Sequence, residues 1–282
     1  MKLFKSIRLV AFVLLSLAVL FGCSSNKSAD QADGASNFDG KQLIVGFDAE
    51  YPPYGFLADD GETYTGFDLD LAREVCKRNN LEFVAQPIAW DAKDFELNSG
   101  NIDCIWNGFT INGRENDYTW SFPYVDNSIV LIVNASSDIK TKADLKDKTV
   151  MVQSGSSGYA ALTDEENAEN VELVKTFKSL ELCQDYNNAF MNLEAGVVDC
   201  VAVDIGVAKY QIENGKGKFI QLAENVSSEQ YGIGFKKGNT ELKDLVESTL
   251  ADMWKDGTFM KIANNYAEYA LPDSICIGNY IK

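Results

Sequence analysis

The sequence contains no histidine and has far fewer basic than acidic residues. Without histidine, catalysis by Ser–His or Cys–His pairs and zinc sites with histidine ligands are both excluded. With 25 Lys and Arg against 42 Asp and Glu, the formal net charge is −17. Because an acidic surface repels the phosphates of DNA and RNA, we expect no nucleic-acid partner. The composition therefore favours an acidic, non-hydrolytic globule.

The six cysteines show none of the close spacings that bind metals, such as CxxC. We therefore expect no metal site and no cofactor. Five cysteines follow Cys23, and an odd number leaves at least one unpaired unless it pairs between chains. Cys76, Cys104 and Cys200 lie in apolar segments, which is typical of small core residues.

We expect the protein to be a monomer.

The 282 residues allow one large or two medium domains, and 46% of them are hydrophobic, enough to bury a core. Periodicity alternates between strand and helix along the chain. Strands are predicted at 42–47, 82–87, 102–106, 128–133 and 149–153, and helices at 68–77, around 95–97 and at 242–254. This alternation indicates an α/β protein with mainly parallel sheets.

The N-terminal segment has the pattern of an export signal. Basic residues precede an apolar run at 9–21, whose length of about 13 residues falls short of the ~20 that span a membrane. The run ends in Leu20-Phe21-Gly22-Cys23, which resembles a bacterial lipobox; an ordinary secretory signal with a chance cysteine is the alternative. We expect a lipoprotein signal peptide at 1–22, a flexible tether at 23–38 and lipidation of Cys23.

Residues 97–105 (LNSGNIDCI) match residues 193–201 (LEAGVVDCV) at an offset of 96. Each copy predicts a helix end, a glycine and a strand that reaches residues 107–108 or 203–204. Two similar α/β lobes would each present a strand end at a cleft, where open α/β sheets bind ligands. Alternatively, the same pattern is a common helix–strand connection.

Several segments match the motifs of one known family. They are residues 51–56 (YPPYGF), 66–75 (GFDLDLAREV), 108–110 (GFT) with Arg114, 153–157 (QSGSS), 201–204 (VAVD), 231–235 (YGIGF) and 256–258 (DGT). On these residues the chain resembles the polar amino-acid solute-binding proteins of ABC importers, over nearly all of 39–270.

The resemblance implies a type II periplasmic-binding-protein-like clamshell, in which two crossing strands act as the hinge between two lobes. We place these strands near 128–133 and 230–235. Lobe 1 would then comprise 39–130 plus 233–282, and lobe 2 would comprise 131–232 with the hinge strands at its ends.

The resemblance also implies a ligand site between the lobes, formed by Asp48, Tyr51, Trp90, Gly108, Thr110, Arg114, Ser156, Ser157 and Asp204. Enclosing a free amino acid removes water from both its charges, so each needs an opposite charge. Arg114 would bind the carboxylate through two parallel N–H bonds, and Asp204 would bind the ammonium. The Gly-Ser loop that contains Ser156 and Ser157 should open a helix and offer a second anion site.

Some of these residues have simpler interpretations. The loop before Arg114 is one residue shorter than the family pattern, so Arg114 fits only if Gly113 lets the loop close. Asp204 could cap a helix, and the Gly-Ser loop could be only a loop. Tyr51 and Trp90 could be core aromatics instead of rings on either side of the ligand.

Asp68 and Asp70 resemble a metal-binding DxD, but their place at a helix start predicts caps. Asp48 follows the first strand at a position that faces the side-chain pocket in relatives that select cationic or amide side chains, and Glu50 lies two residues on. Two acids beside aromatic rings would suit a cationic or polar side chain better than an acidic or aliphatic one. Alternatively, Glu50 points to solvent.

We therefore expect a protein without enzymatic activity, lipid-anchored on the outer face of the cell membrane. It would close on a free amino acid, polar or cationic by preference, and deliver it to the permease subunits of an ABC transporter. An exported enzyme similar to cyclohexadienyl dehydratases is the alternative, with Asp48 or Glu50 as its acid or base. A ligand-sensing receptor domain is disfavoured, because no transmembrane segment follows Tyr266.

The lipobox generates a direct test. Replacing Cys23 by Ala removes the thiol that would carry the lipid, so the variant should be released from membranes or remain unprocessed. Fractionation of cells followed by mass spectrometry of the N-terminus measures both outcomes. A correctly cleaved Cys23→Ala protein that stays on the membrane would show that Cys23 is not the anchor.

Overall fold

The computed structural model describes residues 39–281, so the predicted signal peptide, tether and lipidated Cys23 lie outside the described residues. The strands are β1 (Gln42–Phe47), β2 (Glu50–Tyr51), β3 (Gly55–Leu57), β4 (Tyr64–Thr65), β5 (Glu82–Pro87), β6 (Cys104–Thr110), β7 (Thr119–Trp120), β8 (Val125–Asn134), β9 (Thr149–Gln153), β10 (Ser179–Cys183), β11 (Cys200–Asp204), β12 (Phe219–Gln221) and β13 (Ser227–Phe235). The helices are α1 (Phe67–Asn79), α2 (Lys93–Ser99), α3 (Ser157–Thr163), α4 (Ala168–Thr176), α5 (Tyr186–Glu194), α6 (Ile205–Asn214), α7 (Thr240–Lys255) and α8 (Thr258–Ala263).

The predicted periodicities agree well with these elements. β1, β5 and β9 have the predicted bounds. The helix predicted at 68–77 is α1, which ends where Asn80 turns the backbone left-handed at φ 55°. The strand predicted at 102–106 begins two residues later and continues as β6 to Thr110. This extension carries Gly108 and Thr110 on the C-terminal end of the strand.

The main sheet has the strand order β10-β9-β11-β8-β13-β6-β1-β5, with β12 beside β8 and β7 beside β13. Two groups of strands are parallel: β5, β1 and β6 on one side, and β10, β9 and β11 on the other. The central β8 and β13 run antiparallel to each other and to their neighbours. The sheet is therefore mixed, and the prediction of mainly parallel sheets was wrong for its centre.

The central strands connect the two parallel groups. β8 and β13 pair with each other from Ser227 against Ile129 to Tyr231 against Val125. Beyond this shared section β13 continues along β6, whereas β8 continues along β11 and β12. The chain thus passes between the groups through these two strands, where we predicted the hinge. The lobe boundaries at 130/131 and 232/233 stay a prediction.

Helices cover each parallel group. α1 packs on β1, β5 and β6 and buries Leu69, Ala72 and Val75, the face predicted from their helical spacing. On the other group, α3 and α5 pack on β9 and β11. Burying these apolar faces supplies stabilisation of about 25 cal/mol per Å².

The internal sequence match corresponds to a repeated structure. Asp103, ahead of β6, accepts the backbone N–H of Ile44 at 2.7 Å, and Asp199, ahead of β11, accepts that of Thr149 at 2.8 Å. Each aspartate therefore fixes the register of its strand against the neighbouring parallel strand. As a result, β6 and β11 begin at corresponding residues, Cys104 and Cys200.

The prediction that Asp68 and Asp70 cap α1 was wrong. The N-cap residue is Gly66, and no side chain caps this helix end. Asp68 is fully buried and instead accepts the N–H of Gly108 at 2.6 Å and the hydroxyl of Tyr124 at 2.9 Å. These tertiary donors replace the helix N–H groups, so Asp68 ties α1 to the end of β6.

All five cysteines between residues 39 and 281 are buried and unbridged, in agreement with core roles for Cys76, Cys104 and Cys200. Within the same part of the chain, no group of three or more acidic or cysteine side chains is placed to hold a metal ion. A search of these residues for helices long and apolar enough to cross a membrane finds none.

Candidate ligand-binding site

Eight of the nine predicted site residues line one small cavity. They are Tyr51, Trp90, Gly108, Thr110, Arg114, Ser156, Ser157 and Asp204, and Asn107 and Gln153 complete the lining. Asp48 does not line this cavity. The structure thus brings together residues that lie up to 153 positions apart in the sequence.

The two strand groups contribute different sides of the cavity. Gly108 and Thr110 end β6, and Arg114 follows in the next turn. From the other group come Asp204, which ends β11, and the serines at the start of α3. Because open α/β sheets bind ligands beyond the carboxyl ends of their strands, this is where a ligand is expected.

Arg114 reaches the cavity despite its shortened loop. Gly113 adopts a left-handed conformation at φ +78°, and the N–H of Arg114 bonds to the carbonyl of Ile111 at 2.9 Å, closing the turn. The guanidinium lies 5.2 Å from the centre of the Phe109 ring and donates to the carbonyls of Thr110 at 3.2 Å and Gly155 at 3.3 Å. The last of these bonds crosses from one strand group to the other.

Asp204 is not a helix cap through its side chain, although it stands at the N-terminus of α6. Its carboxylate is 2% exposed and accepts hydrogen bonds from the hydroxyl of Tyr231 at 2.6 Å and from Nδ2 of Asn127 at 2.7 Å. Burial raises the pKa of Asp204 above its ordinary value. A cation beside Asp204 would relieve this cost.

The serine hydroxyls of the Gly-Ser loop already form hydrogen bonds within the protein. Ser156 caps α3 by accepting the N–H of Tyr159 at 3.1 Å and donates to the carbonyl of Gln153 at 2.8 Å. Ser157 donates to the carboxylate of Glu229 at 2.9 Å. The loop therefore opens a helix as predicted, and its serine hydroxyls hold the surrounding structure in place.

Asp48 lines a second cavity of about 270 Å³ that shares Trp90 with the first. Asp48 is 6% exposed and accepts Nε2 of Gln153 at 2.6 Å and the N–H of Glu50 at 2.8 Å. Burial raises the pKa of Asp48 to about 6. Gln153 lines the first cavity while bonding to Asp48, so it connects the two.

The second cavity is strongly acidic. Its lining includes Asp48, Glu50, Asp91 and Asp185, and no Lys or Arg among the described residues contributes to it. Glu50 is exposed and its side chain accepts a hydrogen bond from Asn187 of the other strand group. Like charges gathered around one space favour a positively charged occupant.

Sequence reasoning missed Glu229 and Asn127, which support the cavity from the central strands. Glu229 is 7% exposed and accepts from Thr110 at 2.6 Å, Asn127 at 2.8 Å and Ser157 at 2.9 Å. The signal was available, because Glu229 lies two residues before the motif residue Tyr231 and strand side chains alternate. Both side chains therefore point to the same buried face of β13.

Lys93 was also missed. It is 5% exposed, and its Nζ donates to the carbonyls of Trp90 at 3.3 Å and Gly155 at 3.2 Å. Burial lowers the pKa of Lys93 to about 8, with the nearby charge of Arg114 adding to the effect. The carbonyl of Gly155 thus accepts from both Lys93 and Arg114, which holds the Gly-Ser loop against the opposite strand group.

Comparison with known proteins identifies the family of this chain. Residues 43–269 match the bacterial extracellular solute-binding proteins, family 3. The chain belongs to this family. The L-cystine-binding protein TcyJ of Escherichia coli (strain K12) is 29% identical over 256 residues, which cover 90% of this chain and 92% of that protein.

Two solved structures of solute-binding proteins are also similar. A substrate-binding protein of an ABC uptake transporter from Streptococcus pneumoniae, with bound histidine, has a TM-score of 0.75 and 32% identity, over 80% of this chain and 92% of that one. An ancestral arginine-binding protein bound to arginine has a TM-score of 0.71 and 33% identity, over 80% and 97%. These similarities confirm the predicted family and its two-lobed periplasmic-binding-protein fold.

Gly108 gives a test of how tightly the site of this family-3 protein is packed. Its φ is +55°, and an added Cβ would lie 2.9 Å from the Tyr51 ring and 3.1 Å from the Tyr231 ring. We expect Gly108→Ala to lose about 2–4 kcal/mol of unfolding free energy, from backbone strain plus overpacking. Urea denaturation at neutral pH measures this loss.

Gly113→Ala is the matched control, because Gly113 has φ +78° and nothing within 4 Å of its added Cβ. This variant should show the backbone strain alone, about 1–2 kcal/mol. Equal losses for the two variants would mean that the rings beside Gly108 move away freely and that the cavity wall is not packed as described.

Proposed function

We propose that this protein captures a free amino acid in the first cavity and delivers it to an ABC transporter. The observation that carries the proposal is the placement of Arg114 and Asp204 on one cavity, from opposite strand groups. The relative from Escherichia coli is named for binding cystine, and the two solved structures hold histidine and arginine. All three ligands share the α-carboxylate and α-ammonium groups.

Arg114 and Asp204 suit the two ends of such a ligand. The planar guanidinium offers parallel N–H donors that match a carboxylate, which a lysine could not reproduce. Asp204 offers a buried carboxylate to the ammonium. Because the two residues come from different strand groups, a bound amino acid would join the groups and favour their closed arrangement.

The second cavity favours a cationic or polar side chain. A side chain that leaves the first cavity past Trp90 meets the acidic lining that includes Asp48 and Glu50. A positive side chain would be attracted there, and a side-chain carboxylate would meet like charge. We therefore place arginine, lysine, histidine, cystine and polar amides ahead of glutamate and leucine.

We further propose that the mature protein is a monomer held on the outer face of the cell membrane by lipid on Cys23. The lipobox around Cys23 and the small polar residues that follow it support this proposal. A tether of this composition is flexible. It would let the binding domain meet the permease subunits while remaining at the membrane.

We propose that binding involves no chemical conversion. The relatives that the chain matches are named as binding proteins. Asp48 and Glu50, the residues considered as the acid or base of a dehydratase, do not line the first cavity. Incubation with prephenate or arogenate should therefore leave both compounds unchanged, and turnover of either would contradict this part of the proposal.

The binding proposal is tested by titrating the mature protein with L-arginine, L-lysine, L-histidine, L-cystine, L-glutamine, L-glutamate and L-leucine. Arg114→Ala and Asp204→Ala each leave a desolvated ligand charge unpaired, which costs about 2–5 kcal/mol, or roughly 30-fold or more in affinity. Isothermal titration calorimetry measures the affinity, and circular dichroism shows whether each variant is folded.

Lys255→Ala and Asp138→Ala are the matched controls, since both side chains are exposed away from the cavity and their removal changes the charge by the same amounts. They should bind like the wild type. Wild-type affinity in a folded Arg114→Ala or Asp204→Ala variant would overturn the site assignment. If L-glutamate or L-leucine bound tightest, the acidic cavity would not select the side chain.

A further inference from the structure

Two carboxylates are buried next to each other at the first cavity. Asp204 lines this cavity, and Glu229 is hydrogen-bonded to its lining residues Thr110 and Ser157. Nδ2 of Asn127 donates to Asp204 at 2.7 Å and to Glu229 at 2.8 Å, so both acids lie within hydrogen-bond distance of one nitrogen. Asp204 is 2% exposed and Glu229 is 7% exposed. None of the ion pairs formed between residues 39 and 281 includes either acid.

Asn127 supplies a second, independent observation. This side chain is 4% exposed, and its Oδ1 has no hydrogen-bond partner among the described residues. Buried polar atoms nearly always have a partner, so an orphaned acceptor beside two carboxylates indicates that a donor belongs there. An ammonium group would supply an N–H donor for this oxygen and a positive charge beside the two carboxylates.

Glu229 also holds residues that line the cavity. Its Oε1 accepts the hydroxyl of Thr110 from one strand group and that of Ser157 from the other. Through Asn127 it is joined to Asp204. Glu229 is therefore a positioning residue, which acts on a ligand through Thr110, Ser157 and Asp204.

The surroundings of the pair are mostly acidic or neutral. The titratable and charged groups that face it are Tyr51 on β2, Tyr54 before β3, Arg114 after β6, Asp164 and Glu165 after α3, Tyr186 on α5 and Tyr231 on β13. The pKa values of these four tyrosines are raised well above normal by burial, so the rings are neutral. Arg114 is the one cation in this set.

Two buried carboxylates this close repel each other when both are charged. Burial, followed by the charge of Asp204, raises the pKa of Glu229 to about 7, and burial raises the pKa of Asp204. Because the two sites are linked through Asn127, a proton between them belongs to the pair and not to one residue.

We propose that Glu229 completes the ammonium subsite: Glu229 and Asp204 hold one proton between them, and binding of an amino acid expels it. The inference rests on the proposed function. When the ligand's ammonium arrives, the O–H bond of the protonated acid breaks and the proton passes to solvent. The ammonium, already charged, takes over neutralisation of the pair, and no covalent bond to the ligand forms.

The sign of the pH dependence follows from this exchange. Below about pH 7 the free pair holds its proton, which the ligand must displace, so the affinity falls as the pH falls, by up to about tenfold per pH unit. Above the pKa of the free pair no proton is displaced and the affinity becomes independent of pH. Binding at pH 6 should therefore release close to one proton from the pair, and binding at pH 8 close to none.

The experiment is calorimetric titration at pH 6, 7 and 8 in phosphate and in a buffer of high ionisation enthalpy, with L-arginine, L-glutamine and L-cystine as probes. The difference in heat between buffers gives the number of protons released. In Glu229→Gln, which keeps an acceptor for Thr110 and Ser157 but cannot ionise, this number should fall and the pH dependence should flatten.

Two controls isolate Glu229. Glu213→Gln changes the charge equally at an exposed position and should release protons like the wild type. Asp48→Asn removes another buried acid, whose pKa near 6 would add its own proton release. Glu229→Gln is therefore compared with and without the Asp48→Asn substitution. If Glu229 only supported the structure, Glu229→Gln would leave the number of protons released on binding unchanged. Equal proton release with and without Glu229 would therefore overturn the proposal.

A second measurement needs no ligand. Carbon-13 NMR of the carboxyl groups follows the titration of Glu229 in the free protein, where a step near neutral pH is expected. A step in the ordinary range of an exposed glutamate, near 4.3, would overturn the shared proton even if amino acids bind. If none of the three probes binds, the proposed function fails and the release of protons on binding fails with it.

Discussion

Charge that is buried without a partner is the constraint on which the site depends. Where β8 and β13 cross between the strand groups, Asp204 and Glu229 are enclosed by four buried tyrosines, and the nearby arginine bonds to backbone carbonyls. Removing a carboxylate from water costs free energy unless hydrogen bonds and a cation compensate. The hydrogen bonds come from Asn127 and from hydroxyls of both strand groups. A ligand's ammonium would supply the cation.

The same constraint explains how the two sides are held together. Glu229 accepts from both groups, and the carbonyl of Gly155 accepts from Lys93 and Arg114 of the opposite group. Aromatic contacts join the two groups as well, because the Tyr51 and Tyr186 rings lie 6.0 Å apart and the Phe56 and Tyr210 rings 5.8 Å apart. Opening the cavity would therefore break hydrogen bonds that water can replace and would also separate these ring contacts.

Much of the architecture followed from local patterns. The bounds of β1, β5 and β9, the end of α1 at Asn80 and the opening of α3 by Ser156 depend on periodicity and caps, which neighbouring residues determine. Asp68 shows the limit of such reasoning. A cap was predicted from its position at a helix start, but its donors are Gly108 and Tyr124, which lie far away in the sequence.

The candidate site likewise contains residues that local motifs predicted and residues that only tertiary contacts bring together. Arg114 and Asp204 were found through motifs, whereas Glu229 and Asn127 meet only because β8 and β13 pair across about a hundred residues. Asp48 was expected beside the other site residues, but it faces the acidic cavity because Gln153 stands between it and the first cavity. Side-chain alternation indicates which face of a strand is buried, yet only tertiary pairing decides which polar groups share that face.

The central claim is that one amino acid is held at its two ends by opposite strand groups. A crystal structure of the protein with L-arginine tests it most directly. We predict the α-carboxylate within hydrogen-bond distance of the Arg114 guanidinium, the α-ammonium at Asp204, and the side chain leaving past Trp90 toward Asp48. Arginine bound in the reverse orientation, or outside the cavity that Arg114 and Asp204 share, would contradict the account.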